Sequence, residues 1–573
     1  MNPLSGGTGR RSHSSIDSRA TVARHLCLSG LVFAACLAVA SYFFGLDSQH
    51  IPKNGDEYAY EHITRLTAAS GALLPLRSDI AALRNTKPPL VFWQGIATTD
   101  GGRDWTLLRL RWPSVLYTMA TAGLVFAVGL RVAGRAETGW TALLSFLAFY
   151  STYRYGRAFL TNAPETFWLF LPFASLLIWP AAARSRLLVP LLGGVAIGLG
   201  LLYKSFALVL PAGLALGWWS LRDGGSGLRS FLAKDAWKLV LTLSIALATF
   251  ASWFLLDPDP AGVFRDFVVR ENAGKFDLPG GYLPRLLWGA SSLWSLALAY
   301  PANAGLLAFP VVALFVCAWR RRAQLGEAEK RLFILVTVFL LVFAVPSQRS
   351  GRYLLPAMPA LALLLALAWE RVARWAFLLS LAAAAVVFAG VGVLWLRLVR
   401  SIPGFPPTPP APWAVLGLGA AVVIAGLASP VLTRPLALVA VFLAYLAVAL
   451  LLRPFDGPAG RYDLHARESA RGREVAVPYD FVAKEERYRF LLPGADVVGY
   501  RQGPDVSVAE LVRRYPLVVI QVPLQAADCT GCVVLGRRLD LRGRQTAAEL
   551  REVLHGRLSP ALVVEERLVE RAR

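Results

Sequence analysis

Between Leu26 and Leu452 the chain returns repeatedly to apolar runs of about 17 to 23 residues, each long enough as a helix to cross a hydrocarbon layer of about 30 Å. About thirteen such runs can be drawn, at 26–46, 113–131, 137–152, 165–183, 187–203, 206–220, 237–256, 297–318, 332–346, 353–369, 375–396, 413–429 and 436–452. With 56% hydrophobic and 17% charged residues among 573, the composition excludes a string of ordinary soluble domains. The bilayer is the solvent for most of this chain. The first run is long and lacks a small-residue cleavage site, so it reads as a retained first helix.

Short loops rich in Lys and Arg stay on the cytoplasmic side during insertion. Arg10, Arg11, Arg19 and Arg24 therefore place the N-terminus inside, and an odd helix count places Arg131, Arg135, Arg222, Arg320, Arg331, Arg371 and Arg374 there too. The segments 47–112, 152–164, 257–296, 347–352 and everything from 453 then lie outside, in the periplasm if the membrane is an inner membrane. The net charge of +22 is spread over these helix-flanking loops, which fits anionic lipid head groups and gives no basic stripe for nucleic acid.

Three parts follow: a basic leader over 1–24, a helical membrane domain over 25–461 with long outer loops at 47–112 and 257–296, and a soluble tail over 462–573. In the tail, Val475–Val477, Asp496–Tyr500, Leu517–Val522 and Val533–Leu535 are β-prone, and Val508–Arg514 and Ala547–Leu554 read as amphipathic helices. The expected fold is an α-helical polytopic membrane protein with a small C-terminal α/β domain. Cys27, Cys36 and Cys317 read as small core residues, and Cys529 and Cys532 form a CxxC that suits a disulfide. The histidines are scattered, so no metal site is expected.

Four segments could carry chemistry. Gly55-Asp56-Glu57-Tyr58 sets two carboxylates at the start of a helix predicted over Asp56–Ala68. Thr86-Lys87-Pro88-Pro89-Leu90 couples a cation to a rigid turn and runs into Phe92 and Trp93. Arg109-Leu110-Arg111-Trp112-Pro113-Ser114 opens the second apolar run, and Tyr153–Trp168 crowds Arg154, Arg157, Asn162 and Glu165 at a helix entrance. Charge held at membrane depth marks a site by default.

In order and spacing these segments resemble the membrane-embedded GT-C glycosyltransferases that use polyprenyl-phosphate sugars, the group containing protein O-mannosyltransferases and the 4-amino-4-deoxy-L-arabinose transferase of lipid A. Asp56, Glu57, Lys87, Pro88, Pro89, Arg111, Pro113 and Ser114 match the group's motifs, and Tyr203-Lys204-Ser205, Arg270-Glu271-Asn272 and Arg352-Tyr353 look like its later landmarks. Thr86 and Asn162 stand where the arabinose transferases carry acids, with Glu165 one turn from Asn162. The resemblance implies an inverting hexosyl or pentosyl transferase that takes sugar from a polyprenyl (undecaprenyl) phosphate. Its acceptor would be lipid A or a related envelope glycan at the periplasmic face, with a protein hydroxyl second. A lipid or glycan transporter is the alternative from another class.

The chemistry asks for particular residues. Breaking a sugar–phosphate bond passes through an oxocarbenium-like state while negative charge collects on the leaving phosphate. Lys87, Arg154, Arg157, Lys204, Arg270, Arg349 and Arg352 are the candidate cations, with Glu165 and Glu271 as candidate donor-site partners. Asp56 is the expected base toward the acceptor and Glu57 its helper. No cofactor is required by this scheme, although a divalent metal is compatible with it.

Overall fold

The computed structural model describes residues 29–51, 55–181, 185–223, 227–275, 281–402, 405, 410–479, 483–501, 506–543 and 545–572. The expected leader and Cys27 lie outside them. Within them, every apolar run drawn from the sequence falls on helix. Six helices are long and apolar enough to cross a membrane unaided: Leu107–Ala133, Ala236–Leu256, Ala299–Arg320, Arg374–Ser401, Pro410–Ala428 and Thr433–Asp456. The chain is a multi-pass membrane protein.

Two of the other runs are broken by the backbone. Ala136–Ala148 stops at an extended Phe149 and resumes as Tyr150–Gly156. Gly351–Ala357 is a tight 3-10 turn that continues into Met358–Leu367. At about 1.5 Å per residue, each broken pair together reaches what one short helix cannot. Of the six spans Thr433–Asp456 is the most enclosed, burying Leu438, Val441, Phe442 and Leu443 against its neighbours. Cys36, expected in the core, instead points out of the bundle. Its small apolar side chain is equally at home against lipid.

Two ends of this bundle differ in what they present. At one end Arg222 pairs with Glu327 at 2.8 Å, Arg371 with Glu329 at 2.6 Å, and Arg374 donates to Thr433 Oγ1 at 3.0 Å. The other end carries helix α1 (Asp56–Ala69), helix α2 (Leu90–Thr98), the segments 257–275 and 281–298, and the loop 345–352. Three contacts sew the first outer loop to the second: Asn85 Nδ2 to Asp266 at 3.3 Å, Arg270 Nη2 to the Arg84 carbonyl at 2.9 Å, and Lys87 Nζ to Glu271 at 2.7 Å. Asn85 adopts a positive φ of 50°, which asparagine tolerates better than most residues.

Over α1 sits a five-stranded sheet of order β2-β1-β3-β5-β4, where β1 is Glu474–Tyr479, β2 Asp496–Arg501, β3 Leu517–Val522, β4 Cys532–Leu541 and β5 Val563–Arg571. Strands β2, β1 and β3 run parallel; β5 is antiparallel to both β3 and β4. The first four strands fall where the sequence suggests, and Cys529 and Cys532 are joined as a disulfide. Strand β5 is an addition. Its sequence is charged, yet Glu566 and Arg567 are fully buried because Arg538 meets Glu566 at 2.7 Å and Arg567 donates to the Ala526 and Ala527 carbonyls at 2.6 and 2.9 Å.

Candidate active site

Helix α1 starts with both of its acids, and a helix rotates successive side chains by about 100°. Asp56 and Glu57 accordingly leave in different directions. Glu57 is buried and accepts both Arg111 Nε at 2.8 Å and Arg111 Nη2 at 2.9 Å, with the Phe159 amide adding a third bond at 2.7 Å. Arg111 also holds the Leu46 and Ile51 carbonyls at 3.1 and 3.3 Å. This pair welds α1 to helix α3 (Leu107–Ala133), and a charge so fully satisfied is fixed in place.

Asp56 faces the open side. Its carboxylate is about half exposed and pairs with Arg352, which also donates to Asn162 Oδ1 at 3.1 Å. Asn162 Nδ2 passes the chain to Glu165 Oε2 at 3.4 Å, and Lys204 Nζ donates to that same oxygen at 3.1 Å. Burial by itself would raise the Asp56 carboxyl, but Arg352, reinforced by the charges of Lys87 and Lys204, overrides it and holds the group below its ordinary value. Asp56 is therefore ionised at neutral pH.

Each cation arrives from a different element. Lys87 stands before Pro88 and Pro89, which start α2 and leave the lysine at its mouth, where it meets Glu271 and its neighbour's Thr86 carbonyl, each at 2.7 Å. Lys204 terminates the helix Leu188–Tyr203, and Arg352 opens the 3-10 turn beneath Ser350, whose hydroxyl accepts its amide at 3.4 Å. Glu271 belongs to a π-helical stretch, Phe264–Asn272, a wide winding often found at functional sites. The same stretch fixes Arg270, which reaches Asp266 at 3.4 Å as well as the Arg84 carbonyl. Asn272 is held from outside the stretch by Ser205 at 2.8 Å.

Asp56, Lys87, Glu165, Lys204, Glu271 and Arg352 thus converge on one cluster, with Arg270 at its margin. Arg154 borders it through Tyr155, whose ring carries Arg352 at 4.9 Å and Arg154 at 5.3 Å. Two other expected cations are engaged elsewhere. Arg157 is fully buried on Tyr153 Oη at 2.7 Å and the Tyr42 carbonyl at 3.0 Å, and Arg349 ties the Ala344 carbonyl at 2.7 Å to that of Ser291 at 3.1 Å while lying 5.2 Å from the Tyr282 ring. Both serve as staples between segments. Two residues enter that were not among the expected site residues: Asn162, noted only for its place in the group's pattern, which bridges Arg352 to Glu165, and Tyr155. Their only trace in the sequence is their place within the crowded 153–168 segment.

Chemically, the cluster offers an ionised carboxylate at an open surface and three cations from separate elements. Such an arrangement can hold an anionic oxygen and, beside it, polarise a hydroxyl. Among the described residues no group of three or more His, Cys, Asp or Glu side chains has the arrangement of a metal site.

Residues 47–259 match the family model described as dolichyl-phosphate-mannose-protein mannosyltransferase. Among solved structures, the chain is similar to ArnT from Cupriavidus metallidurans bound to undecaprenyl phosphate, with a TM-score of 0.58 at 16% identity over 94% of this chain and 97% of that one. The apo state of the same protein gives 0.56 at 17% identity, again over 94% and 97%. No match is found among curated protein sequences. At these identities the likeness establishes the fold, which is of the GT-C type and includes the appended sheet.

Proposed function

We propose that this chain is a membrane glycosyltransferase that moves a sugar from a polyprenyl-phosphate donor to a hydroxyl acceptor at the outer face of its membrane. The observation that carries the reading is the pairing of Asp56 with Arg352 in a cluster shared with Lys87 and Lys204. A lipid monophosphate brings negative charge that these cations can take up. Its arrival competes with Asp56 for Arg352, and a carboxylate that loses its counter-cation becomes a better base. Asp56 then accepts the acceptor's proton as the acceptor oxygen bonds to the sugar carbon. The bond from that carbon to phosphate breaks, and its electron pair leaves with the phosphate.

Attack opposite the leaving phosphate makes the transfer inverting. Cations aimed at charge that develops in the transition state act most strongly where water is scarce. Glu165 tethers Lys204, and Glu271 tethers Lys87, so both lysines are pre-aimed before donor binds. Lipid A or a related envelope glycan is the first acceptor class, on the resemblance of the Asp56-Glu57, Lys87-Pro88-Pro89 and Arg111-Trp112-Pro113-Ser114 segments to the group that holds the lipid A arabinose transferase. A protein hydroxyl is the second, favoured by the match over 47–259. In this reading the sheet and α1 face the periplasm and the Arg222–Glu327 end faces the cytoplasm of a Gram-negative cell.

The test is transfer of labelled sugar from purified polyprenyl-phosphate sugars in proteoliposomes, with envelope lipid and peptide acceptors in parallel. Asp56→Asn should lower turnover by about 100-fold or more while the protein stays folded. Lys87→Ala should lower it too at saturating donor. Wild-type turnover retained in Asp56→Asn would remove the proposed base.

A further inference from the structure

We infer that the helix Ala547–Leu554, at the edge of the C-terminal sheet, lies in the head-group layer of the protein's own membrane and inserts Leu550 and Leu554 there. The helix begins with a full capping box, Thr546 and Glu549 each satisfying the other's backbone amide, so it is a defined element. Among its described residues none is buried, and Leu550 and Leu554 are 54% and 66% exposed. At a spacing of four they share one face. Val553, beside them, packs against the apolar cluster that the membrane helices share with Leu541, Leu558 and Val563.

What covers the two leucines follows from where the helix is tied. Arg397 Nη1 donates to the carbonyls of Val553 at 2.8 Å and Leu554 at 2.9 Å, the last two of the helix, the first of which also accepts the Gly556 amide at 3.0 Å. Arg397 belongs to the 28-residue span Arg374–Ser401. The start of that span is fixed at the opposite end of the bundle, where Arg374 bonds Thr433 Oγ1 and the Leu427 carbonyl at 3.0 Å each. From residue 374 to residue 397 a helix rises about 35 Å, slightly more than the roughly 30 Å hydrocarbon layer. Arg397 thus stands just past the hydrocarbon at head-group depth, and it holds the end of the short helix at that depth.

The flanking charges suit the same place. Arg551 is exposed beside the leucines and can reach outward to phosphates, while Arg557 pairs with Glu552 at 2.9 Å and the Glu549 carboxylate turns back to Arg542. The sheet is then held to the membrane at two points: over α1, and here through a helix wedged into lipid. This inference depends on the chain spanning a bilayer, and on no particular sugar or acceptor.

Nitroxide labels read the depth directly. In full-length protein carrying Cys27→Ser, Cys36→Ser and Cys317→Ser, with the Cys529–Cys532 disulfide left oxidised, a single label would be placed at Leu550→Cys, Leu554→Cys, Ala548→Cys or Glu552→Cys. The protein would be reconstituted in nanodiscs of phosphatidylethanolamine and phosphatidylglycerol, and collision with oxygen compared with collision with a water-soluble nickel chelate. We expect the labels at 550 and 554 to show several-fold higher oxygen-to-nickel ratios than those at 548 and 552. Equal, water-like ratios at all four positions would overturn the inference. Shielding of 550 and 554 from both agents would overturn it as well, since a protein surface and not lipid would then cover them.

Discussion

A single buried side chain, Glu61, sets one limit on how this site behaves with pH. It is 1% exposed, lies one turn beyond Glu57, and its Oε2 has no hydrogen-bond partner. Burial first, and the charge of Glu57 second, push its carboxyl well above the ordinary value, while Arg111 pulls the other way. An unfolded glutamate releases its proton near about 4.3. The folded chain keeps it to higher pH, so the folded state holds more protons above that point. The stability contributed by the neutral form is complete below the unfolded value and is lost as pH rises through the folded one. Glu61→Gln should flatten the fall of the thermal midpoint with rising pH and leave the acid side unchanged. Superimposable midpoint–pH curves would show that Glu61 ionises freely. The sequence marked Asp56 and Glu57 but passed over Glu61, because nothing local distinguishes an acid on the buried face of a surface helix.

Helix α1 is the element on which the site turns. Its inner face is pinned by Glu57 to Arg111, and its outer face is clasped by the sheet's helix Glu486–Leu491. Glu486 takes His62 Nδ1 at 2.9 Å and Arg65 at 2.7 and 3.0 Å. Burial would raise Glu486, but the bonds from His62 and Arg65 bring it down to about 2. Its stabilising contribution is therefore present above the unfolded value of about 4.3 and is lost as pH falls toward 2. Glu486→Gln should cost about 3 to 5 kcal/mol at neutral pH, as expected for one partner removed from a buried pair. It should also slow transfer by loosening Asp56, without raising the donor KM; an unaltered turnover number would mean that α1 stands without the clasp. The helix itself was legible from its spacing over 56–68. Its clasp was not, since the partners are separated by more than 400 residues.

At the scale of the whole molecule, the helices were legible because a helix closes its backbone bonds within one segment, so each crossing of lipid leaves a long apolar run in the sequence. The sheet was mostly legible for the opposite reason, its Val-rich strands standing out against a polar tail. Strand β5 escaped because Glu-Glu-Arg reads as solvated, whereas here every such charge meets a partner. Arg538→Met would leave Glu566 buried without its guanidinium and should cost about 3 to 5 kcal/mol, seen as early proteolysis of the sheet at temperatures where the membrane helices persist. Simultaneous loss of both would indicate that bundle and sheet melt as one. The cluster around Asp56 was legible residue by residue, through its motifs, but not its division of labour. Only the fold separates Lys87, Lys204 and Arg352 from the staples Arg157 and Arg349.

Strand β5 follows the other four in the chain, yet it lies between β3 and β4. The ribosome therefore delivers the sheet's interior strand after both of its neighbours, and neither can find its final partner until that strand arrives. Helix α1 is made before any of the sheet and waits for the clasp until β5 has been delivered. Closure of the clasp is thus deferred: the membrane helices can insert one by one, but the sheet that holds α1 is complete only once translation has passed Arg571.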